Sequence, residues 1–305
     1  MRDDHGVTTA VRPPASTATR ALALLRLTRP WFWPLGWAGA YFGWVLAAAE
    51  WVPPLRDQPA AVAAVVVLGP LVWGAVLAMN DLYDLPNDRR SPRKSTAPLV
   101  TGVLTVTDLK RAYWWCSIAA IAISVAAGPW FVAGTVIVLV LGWLYSTPPV
   151  RLKARPGADV AVNTLVVGVF APLGGWSLHR SVLDYPPILV LLGLLLGAAL
   201  YVPTTVMDRD ADLAAGDTTF AVRWTPRACY RLGLALWTAA NVIWLACCHL
   251  DVLVTRDSWT LQTVAAPALV AVYAVATRKP SIPRMAVVSF AFAVPGTDFL
   301  LAVAG

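Results

Sequence analysis

The sequence predicts an all-α integral membrane protein with about nine transmembrane helices. Of 305 residues, 58% are hydrophobic and 13% are charged, more apolar sequence than a soluble core absorbs. The apolar residues gather into runs close to the length a helix needs to cross a bilayer. Between those runs the 24 Lys and Arg residues fall almost entirely on one side, leaving only Arg56, Arg180 and Arg256 on the other. The enriched side reads as cytoplasmic and places the N-terminus there. The net charge of +7 thus follows membrane topology and is no nucleic-acid signal.

Residues 1–20 are rich in Pro, Ala and Thr, carry Asp3 and Asp4, and read as a disordered cytoplasmic tail without a secretory signal. Residues 21–305 read as one transmembrane domain. Spans are expected near 31–49, 60–80, 112–127, 130–146, 160–178, 186–207, 228–249, 260–276 and 284–303. The third is short, and Pro129 suits a tight hairpin into the fourth. Trp31, Trp33, Trp37 and Trp44 line the first span, and Trp114 and Trp115 open the third. They suit an interfacial belt or packing, or the wall of an apolar chamber where aromatic faces stabilise a cation. Cys116, Cys229, Cys247 and Cys248 lack metal spacing and read as reduced structural thiols; His5, His179 and His249 stand apart.

The polar residues at two span ends carry the chemistry. The second span closes on Met79–Asp88, MNDLYDLPND, which puts Asn80, Asp81, Asp84 and Asp88 at the membrane edge. Asn80 and Asp84 share a helical face, with Asp81 beside them. Carboxylates so crowded repel unless a cation lies among them, and oxygen donors suit a hard divalent ion such as Mg²⁺. A simple polar cap is the alternative. Pro86 is expected to end or kink the helix, leaving Asp88 on the loop.

The sixth span closes on MDRDADLAAGDTT, with Asp208 and Asp212 one turn apart. An EF-hand is excluded, because Leu213 stands at its glycine position and Thr219 at its glutamate position. Two such pairs point to one site in which two metals clamp a diphosphate. The intervening loops supply counter-charges: Arg89, Arg90, Arg93 and Lys94 after span 2, and Arg151 and Lys153 after span 4. Pro148 and Pro149 are expected to hold Arg151 and Lys153 in an extended segment. Tyr145 lies at the end of span 4, and Asp159, either a helix cap or a functional acid, opens span 5 with Asn163. Asp298, late in the last span, has no evident partner.

With both motifs in place, the chain resembles the UbiA superfamily of intramembrane prenyltransferases. Asn80, Asp81, Asp84 and Asp88 match that family's N-D-x-x-D-x-x-x-D motif. Asp208, Asp212, Gly216 and Thr219 match D-x-x-x-D-x-x-x-G-x-x-T, and Tyr145 to Lys153 match Tyr-Ser-x-Pro-Pro-x-Arg-Leu-Lys. The last version resembles homogentisate and chlorophyll-type members. One position departs: many members carry Arg-Pro late in the first loop, where this chain has Ala97-Pro98, leaving that contact to a neighbour such as Lys94.

The resemblance implies a bundle around a central chamber open to the cytoplasm, an isoprenyl diphosphate donor, Mg²⁺, and an electron-rich small-molecule acceptor. Asn80, Asp81, Asp84, Asp88, Asp208 and Asp212 would serve the metal, and Arg89, Lys94, Arg151 and Lys153 the diphosphate. Asp84, Asp208, Asp212, Arg151, Lys153 and Tyr145 would carry the reaction, with Tyr145 or Asp159 considered as the final base. A terpene cyclase of the same superfamily would use the same diphosphate motifs. A transporter is the alternative of another class, disfavoured because its sites lie near the midplane rather than at helix ends.

Overall fold

A computed structural model describes residues 16–89, 94–253 and 256–305. Arg90, Arg93 and most of the predicted tail lie outside the described residues. The first described helix corrects the tail boundary. Ser16 accepts a hydrogen bond from the Thr19 amide and caps α1, Thr17–Leu27, so residues 17–20 are helical. Ala23 and Leu27 give this helix a face that packs with Ala78, Leu104 and Leu109.

The predicted spans then follow as long helices. They are α2 (Trp33–Ala48), α3 (Gln58–Asp88), α4 (Val106–Ser124), α5 (Pro129–Ser146) and α6 (Ala158–Trp176). Next come α7 (Pro187–Ala215), α8 (Pro226–His249), α9 (Trp259–Ala276) and α10 (Ile282–Ala304). Among the described residues, seven helices are long and apolar enough to cross a membrane, so the protein is a multi-pass membrane protein. The two expected spans outside that set fall on α2, 16 residues long, and on α4, whose first turns carry Asp108, Lys110 and Arg111.

Two irregularities shape the bundle. Pro70 deprives α3 of one amide, and Val67–Leu71 loosens into a π turn around Gly69. The Trp37 indole donates to the Val65 carbonyl at 2.9 Å, satisfying a backbone oxygen close to the break. A packing role for Trp37 follows, whereas Trp114 and Trp115 are exposed at 61% and 71%, as belt or lipid-facing residues would be. In α6 a second π turn, Val166–Phe170, brings Gly168 against Gly193 of α7 so closely that a methyl group on either would meet the other's carbonyl.

Helix α2 packs on the end of α6, α3 on α4 and α5, and α6 on α7. From there α7, α8, α9 and α10 pack in succession, and α10 returns to α2. The last three helices are tied by buried Gln262. It accepts from the Trp244 indole at 2.8 Å and donates to Asp298 at 2.8 Å, which supplies the partner that Asp298 lacked in the sequence.

Candidate active site

Both acidic motifs stand at the same end of the bundle, because α3 and α7 each run toward it and end there. The opposite end holds Asp57 near His179, and Arg180 on the Ala47 carbonyl. Helix α3 continues through Pro86 to Asp88, contrary to the expected break. Proline's fixed φ suits a helix, and the ladder resumes with the Arg89 amide on the Leu85 carbonyl at 3.1 Å. Asp88 therefore shares the face of Asp84, while Arg89 caps the helix and is exposed.

The first motif divides into two groups. Lys153 Nζ donates to Asp84 Oδ1 at 2.6 Å and to Asn80 Oδ1 at 2.9 Å. Arg151 reaches the same Asp84 oxygen at 3.3 Å. On the other side Lys94 lies 3.4 Å from Asp88 and 3.9 Å from Asp81, and Arg29 is 3.5 Å from Asp81. Sequence reasoning missed Arg29; its signal was its place just before Pro30, at the mouth of the first span.

The segment carrying Arg151 and Lys153 is compact rather than extended. A cis bond joins Pro148 to Pro149, Arg151 adopts left-handed φ of 38°, and Leu152–Ala154 forms a 3-10 turn. The Arg151 amide closes on the Thr147 carbonyl at 2.9 Å, so both basic side chains fold back over α3. Burial pushes the Lys153 ammonium below the ordinary lysine range, with Asp84 opposing the shift.

The second motif is built by the end of α7. Gly216, at φ 75°, sends its amide to the Leu213 carbonyl and the Asp217 amide to that of Asp212, the paired bonds of a Schellman turn. The chain reverses there, and Thr219 donates to Asp212 Oδ2 at 2.8 Å. This accounts for the Gly and Thr of the motif: one makes the turn, the other fixes the carboxylate. Asp208 lies one turn before Asp212 and is exposed.

Asp159 sits in the first turn of α6 and is 2% exposed. Its carboxylate accepts from the Gly157 amide at 2.9 Å and from the Phe220 amide at 2.7 Å, tying α6 to the second motif's loop. The carboxylate thereby clamps the two segments together. Tyr145 hydrogen-bonds Tyr201 of α7 at 3.0 Å. Tyr201 escaped the sequence reading because it lies two turns inside an apolar run.

The donors are all hard oxygens, and Asp81 Oδ1 is buried without a hydrogen bond, so donor chemistry suits a Mg²⁺-type ion. Among the described residues no three acidic, His or Cys side chains are gathered tightly enough to hold one; Lys153 and Arg151 take the Asp84 oxygen instead.

Comparison with known proteins accords with this geometry. The fold is that of a UbiA homolog from Archaeoglobus fulgidus solved bound to DMAPP and Mg²⁺, with TM-score 0.73 and 22% identity over 92% of this chain and 98% of that one. A structure of digeranylgeranylglyceryl phosphate synthase gives TM-score 0.70 at 15% identity, covering 93% of this chain and 99% of the other. Homogentisate phytyltransferase of Synechocystis sp. is 32% identical over 130 residues, which is 39% of this chain and 42% of that protein. The match thus spans less than half of that relative's length. The UbiA prenyltransferase family pattern covers residues 32–294, and the chain belongs to the UbiA prenyltransferase family.

Proposed function

We propose that this protein transfers an isoprenyl group from an isoprenyl diphosphate to an electron-rich, aromatic small molecule within the membrane, releasing diphosphate on the cytoplasmic side. The observation that carries the reading is the convergence of Arg151 and Lys153 on the Asn80–Asp84 face beside the second acidic turn. Fixed cations among oxygen donors suit a leaving group that gains negative charge as its bond to carbon breaks.

Asn80, Asp81, Asp84, Asp88, Asp208 and Asp212 would hold Mg²⁺, which neutralises diphosphate oxygens when bound. Arg151 and Lys153 orient the diphosphate and stabilise its developing charge, with Lys94 and Arg89 at the rim. The apolar helices keep water from the allylic cation, which would otherwise be captured as an alcohol. The acceptor attacks that carbon and loses a proton. Tyr145, hydrogen-bonded to Tyr201, would orient an acceptor hydroxyl.

The test is prenyl transfer by purified protein with Mg²⁺, comparing geranyl, farnesyl, geranylgeranyl and phytyl diphosphates with a panel of aromatic acceptors including homogentisate. Diphosphate release that depends on acceptor, and that is lost in Asp84→Ala and Asp208→Ala, supports transfer. Release without acceptor, giving a cyclic hydrocarbon, would instead identify a cyclase.

A further inference from the structure

We propose that Asp217, which the motif spacing passes over, is a positioning residue that aligns Arg151 for the diphosphate. The inference rests on the diphosphate site proposed above. Arg151 Nη1 lies 3.1 Å from Asp217 Oδ1, and Nη2 lies 3.2 Å from Asp217 Oδ2. The first is an ion-pair contact and the second a hydrogen bond. Contacts from both terminal nitrogens to one carboxylate restrict the plane of a guanidinium, whereas a single contact leaves it free to turn. Asp84 supplies only one, at 3.3 Å, from the same Nη2.

The grip is rigid from both sides. Asp217 is held by its own amide on the Asp212 carbonyl at 3.0 Å, next to left-handed Gly216. Arg151 is held by its amide on Thr147. The bond therefore joins the turn that ends α7 to the loop that follows α5, and through Arg151 to Asp84 on α3. It spans the two acidic motifs. The two Arg151–Asp217 contacts leave Arg151 Nε–H buried and without a hydrogen-bond partner, a donor still to be satisfied.

Asp217→Asn keeps the side-chain shape and the backbone turn but replaces one acceptor oxygen by a donor facing the guanidinium. Arg151 meets the diphosphate in the ground state and its developing charge in the transition state, so loss of alignment weakens donor binding and also slows the chemical step. The expected result is a donor KM raised about tenfold, the size of one charged hydrogen bond, together with a lowered kcat. A purely structural defect would instead lower the active fraction and leave KM unchanged. Asp217→Glu should recover most of the loss. Asp210→Asn is the control, because the Asp210 side chain is 99% exposed.

Titration calorimetry of inorganic pyrophosphate with Mg²⁺ on wild type, Asp217→Asn, Arg151→Met and the double variant separates this inference from the proposed activity. The double variant should bind no worse than Arg151→Met alone, since Asp217 acts through Arg151. Unchanged pyrophosphate affinity in Asp217→Asn, or losses that multiply in the double variant, would overturn the assignment even if every prenyl donor proved inactive.

Discussion

Replacing Lys153 by Met removes a charge while keeping an unbranched chain of similar reach. The ammonium lies 2.6 Å from Asp84 Oδ1 and 2.9 Å from Asn80 Oδ1, with the side chain 11% exposed, so water screens it little. Each hydrogen bond to a charged group contributes about 1.5–3 kcal/mol, and Asp84 keeps Arg151 at 3.3 Å as a remaining partner. Folding stability should therefore fall modestly. Catalysis should fall further, because a fixed donor aimed at developing negative charge supplies about 2.7–4 kcal/mol in comparable sites. That corresponds to a loss of about 10²–10³-fold in kcat/KM. The assay is diphosphate release in detergent micelles at saturating acceptor, with a thermal melt on the same preparation. A folded Lys153→Met protein within about threefold of wild type would refute the role assigned to Lys153.

Other expectations follow from single contacts. Thr219→Val removes the 2.8 Å bond to Asp212 and should raise the half-saturating Mg²⁺ concentration about tenfold or more, read from a metal titration of activity. Because burial lowers the Lys153 pKa, its charge is lost at lower pH than an ordinary lysine's. The alkaline limb of the kcat/KM profile should then move to higher pH in Lys153→Arg, and an unmoved limb would assign it to another group. Gly193→Ala would press a methyl group on the Gly168 carbonyl, costing about 1–3 kcal/mol and visibly lowering the melting temperature. Thr105→Ala breaks the reciprocal cap with Asp108, at 3.1 Å and 2.8 Å, and should cost about 1 kcal/mol in the same melt.

Much of this protein is legible in its sequence, for physical reasons that act locally. A bilayer demands long apolar helices, so hydropathy located the helices without knowledge of their packing. Helical spacing put Asn80 with Asp84, and Asp208 with Asp212, on common faces, and chain direction put both pairs at one end. Local rules failed at the prolines and wherever a distant group intervened. Pro86 was expected to break α3, yet the chain absorbs the loss of one amide and carries Asp88 onto the face of Asp84. The Pro148-Pro149 segment was expected to be extended, but it folds back so that Lys153 reaches Asn80, 73 residues away in sequence. Asp217 and Tyr201 belong to no spacing at all; their roles exist only because a left-handed glycine and a neighbouring helix bring Arg151 and Tyr145 to them. The sequence by itself determined the membrane class, the helices and the two acidic clusters, because those depend on composition and on repeats a few residues long. Which cation meets which carboxylate was decided by tertiary structure, because such pairs join segments that only the folded bundle makes neighbours.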